Sequence, residues 1–309
     1  MKIAFIFPGQ GAQYPGMGKE VLQAYPQIRE TLQEGDDILK RNLSKIFLEG
    51  SKEELTRTLN AQPAIYLLSV AYTRLLKSLF PRLQPSFAAG LSLGEYTALA
   101  TSGIFDEALG LKIVQERARL MTEACQARPG AMAAVVGLSE QEIESLVKGS
   151  GMPHDLWAAN FNAPTQAVVS GTLKGVEEGT RLACARGAKV IPLSVEGAFH
   201  SGLMQRAQER LADVIQATPF HSSSVKVAMN ASGGFASGVE EMKELLIRQV
   251  TQPVRWQGCM ETLEKEGTEL FVEIGCGKTL SGLNRKILKV PTLSFEKPQD
   301  LDLIAKEAL

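Results

Sequence analysis

The chain has 309 residues, 44% hydrophobic and 22% charged, with a formal net charge of −1 and a pI near 6.4. That length supports one large core and a second, smaller one. The near-neutral balance excludes a global field for nucleic acid or anionic membrane, so a charged partner has to be met by a local patch. Cys125, Cys184, Cys259 and Cys276 lie far apart with no C-x-x-C pair, which argues against a disulfide framework or zinc site and for a reducing compartment. The three histidines, His154, His200 and His221, show no helical metal-ligand spacing, and no apolar run approaches transmembrane length. The opening KIAFIF is too short for a signal-peptide core and meets Pro8-Gly9 at once. A soluble, cytoplasmic chain is expected.

In chain order, KIAFIF (2–7) reads as a buried strand ended by Pro-Gly. The loop GQGAQYPGMG follows, then a helical pattern over 17–32 and a long helix over 62–80 with Pro63 near its start. SFAAGLS (86–92) is a second strand, 93–103 a helix closed by Gly103, and 105–126 a helix capped by Asp106. At Pro129-Gly130 the rhythm changes to strand 130–137, helix 139–148 with a capping box, strands 156–163 and 166–171, helix 172–187 and strand 188–195. That β-α-β-β-α-β order is ferredoxin-like and predicts a small domain over 127–196 inserted into a large one formed by 1–126 and 197–309. Helices near 200–217, 239–250, 254–266 and 277–288 then alternate with strands 225–230, 268–275 and 292–296. The fold class is α/β, with a mostly parallel sheet covered on both faces.

GLSLGEY (90–96) places Ser92 in a G-x-S-x-G pattern between an apolar strand and a helix, the context of a nucleophile elbow. The alternative is a plain strand-to-helix turn. In the elbow reading the Leu93 N–H and the helix N-terminus support negative charge at the serine's reaction centre. A serine nucleophile needs a base. His200, in EGAFHSGLM among small residues before a helix, is the best placed histidine, and a helix start would bias it to the neutral form. Arg117 falls on the apolar stripe Ile113, Leu120, Met121, Ala124, so it has to be paired inside the fold. A structural salt bridge and a guanidinium fork for a substrate carboxylate both fit. In FPGQGAQ (7–13) the glycines let the backbone approach a ligand, and the Gln10 N–H is a candidate second oxyanion donor; phosphate-loop spacing is absent.

FPGQGAQ, GLSLGEY, QERARLM, AANFNAP, GAFHSGLM, IRQVTQPVRW and VEIGCGKTL, in this order and across essentially the whole chain, closely resemble the malonyl-CoA:acyl carrier protein transacylases of bacterial fatty acid synthesis. The resemblance implies an α/β-hydrolase-like large domain with a small ferredoxin-like one. It implies Ser92 as nucleophile, His200 as base, Arg117 as the malonyl carboxylate site, and Gln10 and Leu93 as oxyanion donors. The histidine would be oriented by a backbone carbonyl in the segment of Gln249, and Asn160 and Asn162 would face the cleft from the small domain. Substrates would be malonyl-CoA and the phosphopantetheine thiol of acyl carrier protein, with no resident cofactor or metal and a monomeric chain. Arg285, Lys286, Lys289, Arg186 and Lys189 are the candidate basic patch for an acidic carrier. One position departs from the family: a histidine usually precedes the serine, and here it is Leu91. A serine hydrolase, and an acyltransferase-like protein that only binds the carrier, are the rival readings.

Overall fold

The computed structural model describes residues 1–308. Its strands are β1 (Ile3–Phe7), β2 (Phe87–Gly90), β3 (Ala131–Val136), β4 (Leu156–Ala163), β5 (Gln166–Gly171), β6 (Lys189–Pro192), β7 (Lys226–Met229), β8 (Gly234–Phe235), β9 (Leu270–Ile274) and β10 (Thr292–Phe295). They form a six-stranded sheet in the order β10-β9-β1-β2-β7-β8, parallel except for β8, and a four-stranded antiparallel sheet in the order β4-β5-β3-β6. The second is the strand order of a ferredoxin-like unit.

Both faces of the large sheet are covered, which is why its strands read as unbroken apolar runs. Ile3, Phe5 and Phe7 pack on one side with the helices Thr58–Leu79, Leu93–Thr101 and Glu107–Ala127, while Ala4 and Ile6 pack on the other with Trp256, Met260 and Leu283. The small sheet is two-sided in a different way. Ala133, Val135, Ala167 and Val169 meet the helices Glu140–Gly149 and Leu173–Ala185, whereas Met132 and Val168 turn toward the large sheet's core and line a cleft. The two sheets are tied where Phe161 N–H donates to Val254 O and Val254 N–H to Ala159 O, both at 2.9 Å.

Several boundaries differ from the sequence expectation. The helix expected over 17–32 is two, Lys19–Ala24 and Ile28–Leu39, because Pro26 lacks an N–H and breaks the run. Residues 33–61, left without elements, hold the end of that second helix plus Leu43–Glu49 and Lys52–Thr56. The long helix begins at Thr58, so Pro63 is inside it; the Leu59 carbonyl that proline cannot satisfy accepts from Arg41 Nη2 at 2.8 Å. The strand expected over 188–195 pairs only as β6, and the helix Asp300–Ala308 and the two-residue β8 were not expected. Asp106 and Ser139 cap their helices as anticipated, the latter with a full capping box.

The register of β1 on β2, with Phe7 beside Gly90, brings the Pro8 loop against the turn that follows β2. The packing there leaves no room for a methyl group. A Cβ at Gly90 would lie 1.9 Å from the Gly94 carbonyl carbon, and one at Gly94 would lie 2.1 Å from Phe7 O. Gly90→Ala is expected to lower stability by about 3 kcal/mol, the upper end for overpacking, read as a lower denaturant midpoint. Gly149→Ala, where an added Cβ meets nothing within 4 Å, is expected to leave the midpoint unchanged or raise it slightly.

Candidate active site

Ser92 stands between β2 and the helix Leu93–Thr101 with φ 53° and ψ −100°, a conformation that L-residues rarely adopt. Such backbone costs on the order of 1–3 kcal/mol and persists only where its surroundings enforce it. Here Asn230 does so: its Oδ1 accepts the Ser92 N–H at 2.7 Å and its Nδ2 donates to Gly90 O at 2.8 Å. The turn is thus a strained elbow and not a plain strand-to-helix junction. It presents the serine side chain to the cleft between the sheets.

His200 Nε2 lies 2.7 Å from Ser92 Oγ, and its Nδ1 lies 2.7 Å from the Gln249 carbonyl. A carbonyl only accepts, so Nδ1 carries the proton and Nε2 keeps its lone pair for the serine hydroxyl. The neutral state has a cause different from the one expected at sequence level. Burial comes first and the nearby Arg117 charge second, and together they lower the imidazole pKa to about 4. The helical turn after it, Gly202–Met204, is only a short 3-10 segment.

Arg117 is 1% exposed on the cleft side of the helix Glu107–Ala127, in the stripe read from sequence. Its Nη1 donates to Gln62 Oε1 at 2.7 Å, and its Nη2 donates to Ser92 Oγ at 3.0 Å and Gln249 Oε1 at 3.1 Å. The guanidinium carbon sits 5.3 Å from the centre of the Tyr96 ring. Among the described residues no carboxylate oxygen comes within 4.0 Å of it, and its buried Nε has no hydrogen-bond partner. The cation is therefore solvated by neutral amides and left without a counter-ion at contact distance. The structural salt bridge weighed at sequence level is not formed.

The remaining expected residues converge on the same cleft. Among the described residues the N–H groups of Gln10 and Leu93 find no hydrogen-bond acceptor. The loop of Gln10 is pressed on the elbow: a Cβ at Gly9 would lie 2.4 Å from Leu91 O. Gln10 itself is fixed by its side chain, which donates to Thr58 Oγ1 at 3.1 Å and accepts from Gln62 Nε2 at 3.2 Å. Asn160 and Asn162 line the cleft from β4, and the buried Oδ1 of Asn162 is unpartnered. Leu91 lines the cleft too and packs against the core cluster of Ile6, Leu280 and Leu283, while the hydroxyl of Ser92 is engaged by His200 and Arg117.

Three contributors were not anticipated. Gln62, near the start of a long apolar helix, and Asn230, after β7, gave no sequence signal. Glu95 did give one, as a lone acid in the fully buried segment LGEYTALAT. Its carboxyl accepts from the Asn230 N–H at 2.7 Å and from Gln249 Nε2, and none of its atoms bonds His200.

The sequence pattern of the family described as "Acyl transferase domain" matches residues 4–289. The chain is 40% identical over 305 residues to the malonyl CoA-acyl carrier protein transacylase of Bacillus subtilis, covering 98% of this chain and 96% of that one. It is similar in fold to the solved malonyl CoA-acyl carrier protein transacylase of Coxiella burnetii, with TM-score 0.95, 32% identity and coverage of 100% and 98%. A malonyl-transacylase solved in complex with a type II PKS acyl-carrier protein superposes with TM-score 0.93 at 32% identity, over 99% of both chains. With a strained serine, a neutral histidine and an unneutralised arginine in one cleft, this chain belongs to the malonyl CoA-acyl carrier protein transacylase family of acyltransferases.

Proposed function

We propose that the chain moves the malonyl group from malonyl-CoA to the phosphopantetheine thiol of an acyl carrier protein through a malonyl ester on Ser92. The observation that carries this reading is Arg117: a buried cation without a carboxylate partner, 3.0 Å from the serine oxygen. A malonyl group has a thioester carbon for the serine and, across one methylene, a carboxylate for the guanidinium.

In this reading Ser92 Oγ attacks the thioester carbonyl while its proton passes to His200 Nε2. The tetrahedral oxyanion is held by the Gln10 and Leu93 N–H groups. The C–S bond breaks, and the CoA sulfur leaves with the proton from His200. The carrier's thiol then gives its proton to His200, its sulfur attacks the ester, and the C–O bond breaks to restore the Ser92 hydroxyl. The Gln249 carbonyl does for His200 what an acid does in a Ser-His-Asp triad: it holds the tautomer and the ring plane. Asn160 and Asn162 offer polar contacts to the incoming pantetheine arm. The chemistry asks for no resident cofactor or metal, since nucleophile, base and carboxylate contact all come from side chains of a single chain, which we infer acts as a monomer in the cytoplasm. Among the described residues no helix is long and apolar enough to cross a membrane.

We further propose that residues 127–196 form the small domain and that 1–126 and 197–309 form the large one, so the cleft is the seam between them. Of the basic residues considered for the carrier, Lys286 reaches across this seam to Gln166 Oε1 at 2.9 Å, while Arg186 donates to Glu142 O. We assign the carrier's docking to the Lys286 side, where Gln166 also lines the cleft.

Mixing with malonyl-CoA should add one malonyl group to the intact protein, and carrier protein should remove it; Ser92→Ala should never acquire it. An adduct persisting on that variant would overturn the assignment. Arg117→Ala should lower malonyl transfer by at least about a hundredfold, the loss of a desolvated charge-assisted pair, and change acetyl transfer by less than about tenfold. Equal loss for both acyl groups would make the arginine structural. Leu91→His should alter the acylation rate by less than about a hundredfold, the low end of what an acid–base group supplies. Acylation should be lost as pH falls through about 4, where His200, neutral above that value, takes up a proton and no longer accepts one from Ser92.

A further inference from the structure

Glu95 is the only acid in the helix Leu93–Thr101, and its side chain is 0% exposed. No step described above uses it, yet both of its carboxyl oxygens are engaged. Oε1 accepts the Asn230 N–H at 2.7 Å, and Oε2 accepts from Gln249 Nε2. Each partner continues to the reacting atoms. Asn230 holds the Ser92 N–H and the Gly90 carbonyl on the two sides of the elbow. The Gln249 side chain donates to Ser92 O at 2.7 Å and accepts from Arg117, and its backbone carbonyl faces His200 Nδ1. One carboxyl group thus anchors the two residues that fix nucleophile, base and cation. Burying an acid is costly, and glutamine would fill the same space. What glutamine lacks is a second acceptor: it can meet one of the two facing N–H donors, never both.

We propose that Glu95 is a positioning residue of the acyl-transfer site, setting Ser92 and His200 in reacting geometry through Asn230 and Gln249. This rests on the reading of Ser92 as the nucleophile. Both oxygens must accept, so the ionised form is the one that positions; protonation turns one oxygen into a donor facing an N–H. The charged and titratable groups around the carboxyl are Arg117 from the helix Glu107–Ala127, Tyr96 from its own helix and Cys259 from the helix Trp256–Lys265, with His200 one step further, bonded to the Gln249 carbonyl. Burial raises Glu95 to about 8 against the pull of the Asn230 N–H, the Gln249 amide and Arg117. Burial also holds Tyr96 and Cys259 neutral, and His200 is neutral above about 4. Reactivity of Ser92 accordingly rises with pH across the Glu95 titration.

The test is the labelling rate of Ser92 by a neutral serine-directed fluorophosphonate, followed by intact mass between about pH 7 and about pH 9. It compares wild type, Ser92→Ala and Glu95→Gln, with thermal unfolding recorded alongside. Wild type should label and speed up roughly three- to tenfold over that interval, as the ionised fraction of one group grows. Glu95→Gln, still folded, should label roughly ten- to a hundredfold more slowly and show no rise. A folded Glu95→Gln protein that labels at the wild-type rate, or more slowly but with the wild-type rise, overturns the proposal while leaving the nucleophile in place. Label on Ser92→Ala overturns the nucleophile instead. If Glu95→Gln does not fold, Gln249→Met removes one arm of the network from outside the helix. Loss of both rate and rise supports the proposal, and wild-type behaviour overturns it.

Discussion

A guanidinium that is buried and has no ion partner is the constraint around which the cleft is organised. Removing a cation from water costs several kcal/mol even after relaxation, and the usual remedy is a carboxylate in contact. Here the remedy is partial. Gln62 and Gln249 offer amide oxygens, Ser92 offers its hydroxyl, and Tyr96 offers a ring face. These groups solvate the charge without an ion pair at contact distance, so a carboxylate that enters could pair with it directly. Acyl groups without one leave the cation as it was. In the proposed transfer, selectivity would come from the penalty of an unpaired buried group, which discriminates far better than a methylene more or less in an apolar pocket.

The same charge bears on the base. Burial and Arg117 both disfavour imidazolium, so His200 is held neutral, the form that the proposed transfer requires of a base. In the proposed transfer, the low basicity would make the imidazolium formed during attack a strong acid, suited to protonating a departing thiolate. No carboxylate sits behind the histidine to stabilise that imidazolium; the Gln249 carbonyl supplies a dipole there and fixes the tautomer. The acid nearest the elbow, Glu95, is set one layer back, bonded to Gln249 and Asn230. Strain at Ser92 is sustained by this layer, because Asn230 holds the elbow on both of its flanks.

Leu91 lies outside that layer. Its side chain joins the apolar cluster on the far side of the large sheet and one wall of the cleft, and the serine's hydrogen bonds go elsewhere. An imidazole in that position would add a polar group at the cleft wall, outside the Ser92–His200–Gln249 line.

The elbow was legible in the sequence because its requirements are local: a buried strand, a helix start, and glycines where no Cβ fits at 90 and 94. Arg117 was legible as an anomaly, a charge on an apolar stripe, and the two sheets followed from strand order and capping chemistry. What sequence left open was the arginine's partner, since periodicity shows that a side chain is buried and says nothing of what it meets. Gln62, Asn230 and Gln249 are separated from Ser92 by 30, 138 and 157 positions, and polar amides carry no periodic signature. Only the packing of Thr58–Leu79 and Glu107–Ala127 on the sheet, with the loops after β7 and before Trp256 closing over Ser92, brings Gln62 and Gln249 to the charge and Asn230 to the elbow. Local chemistry therefore determined which residues could react. The long-range pairing of neutral amides with a buried cation, which no single segment encodes, decided that the charge is left available to a ligand.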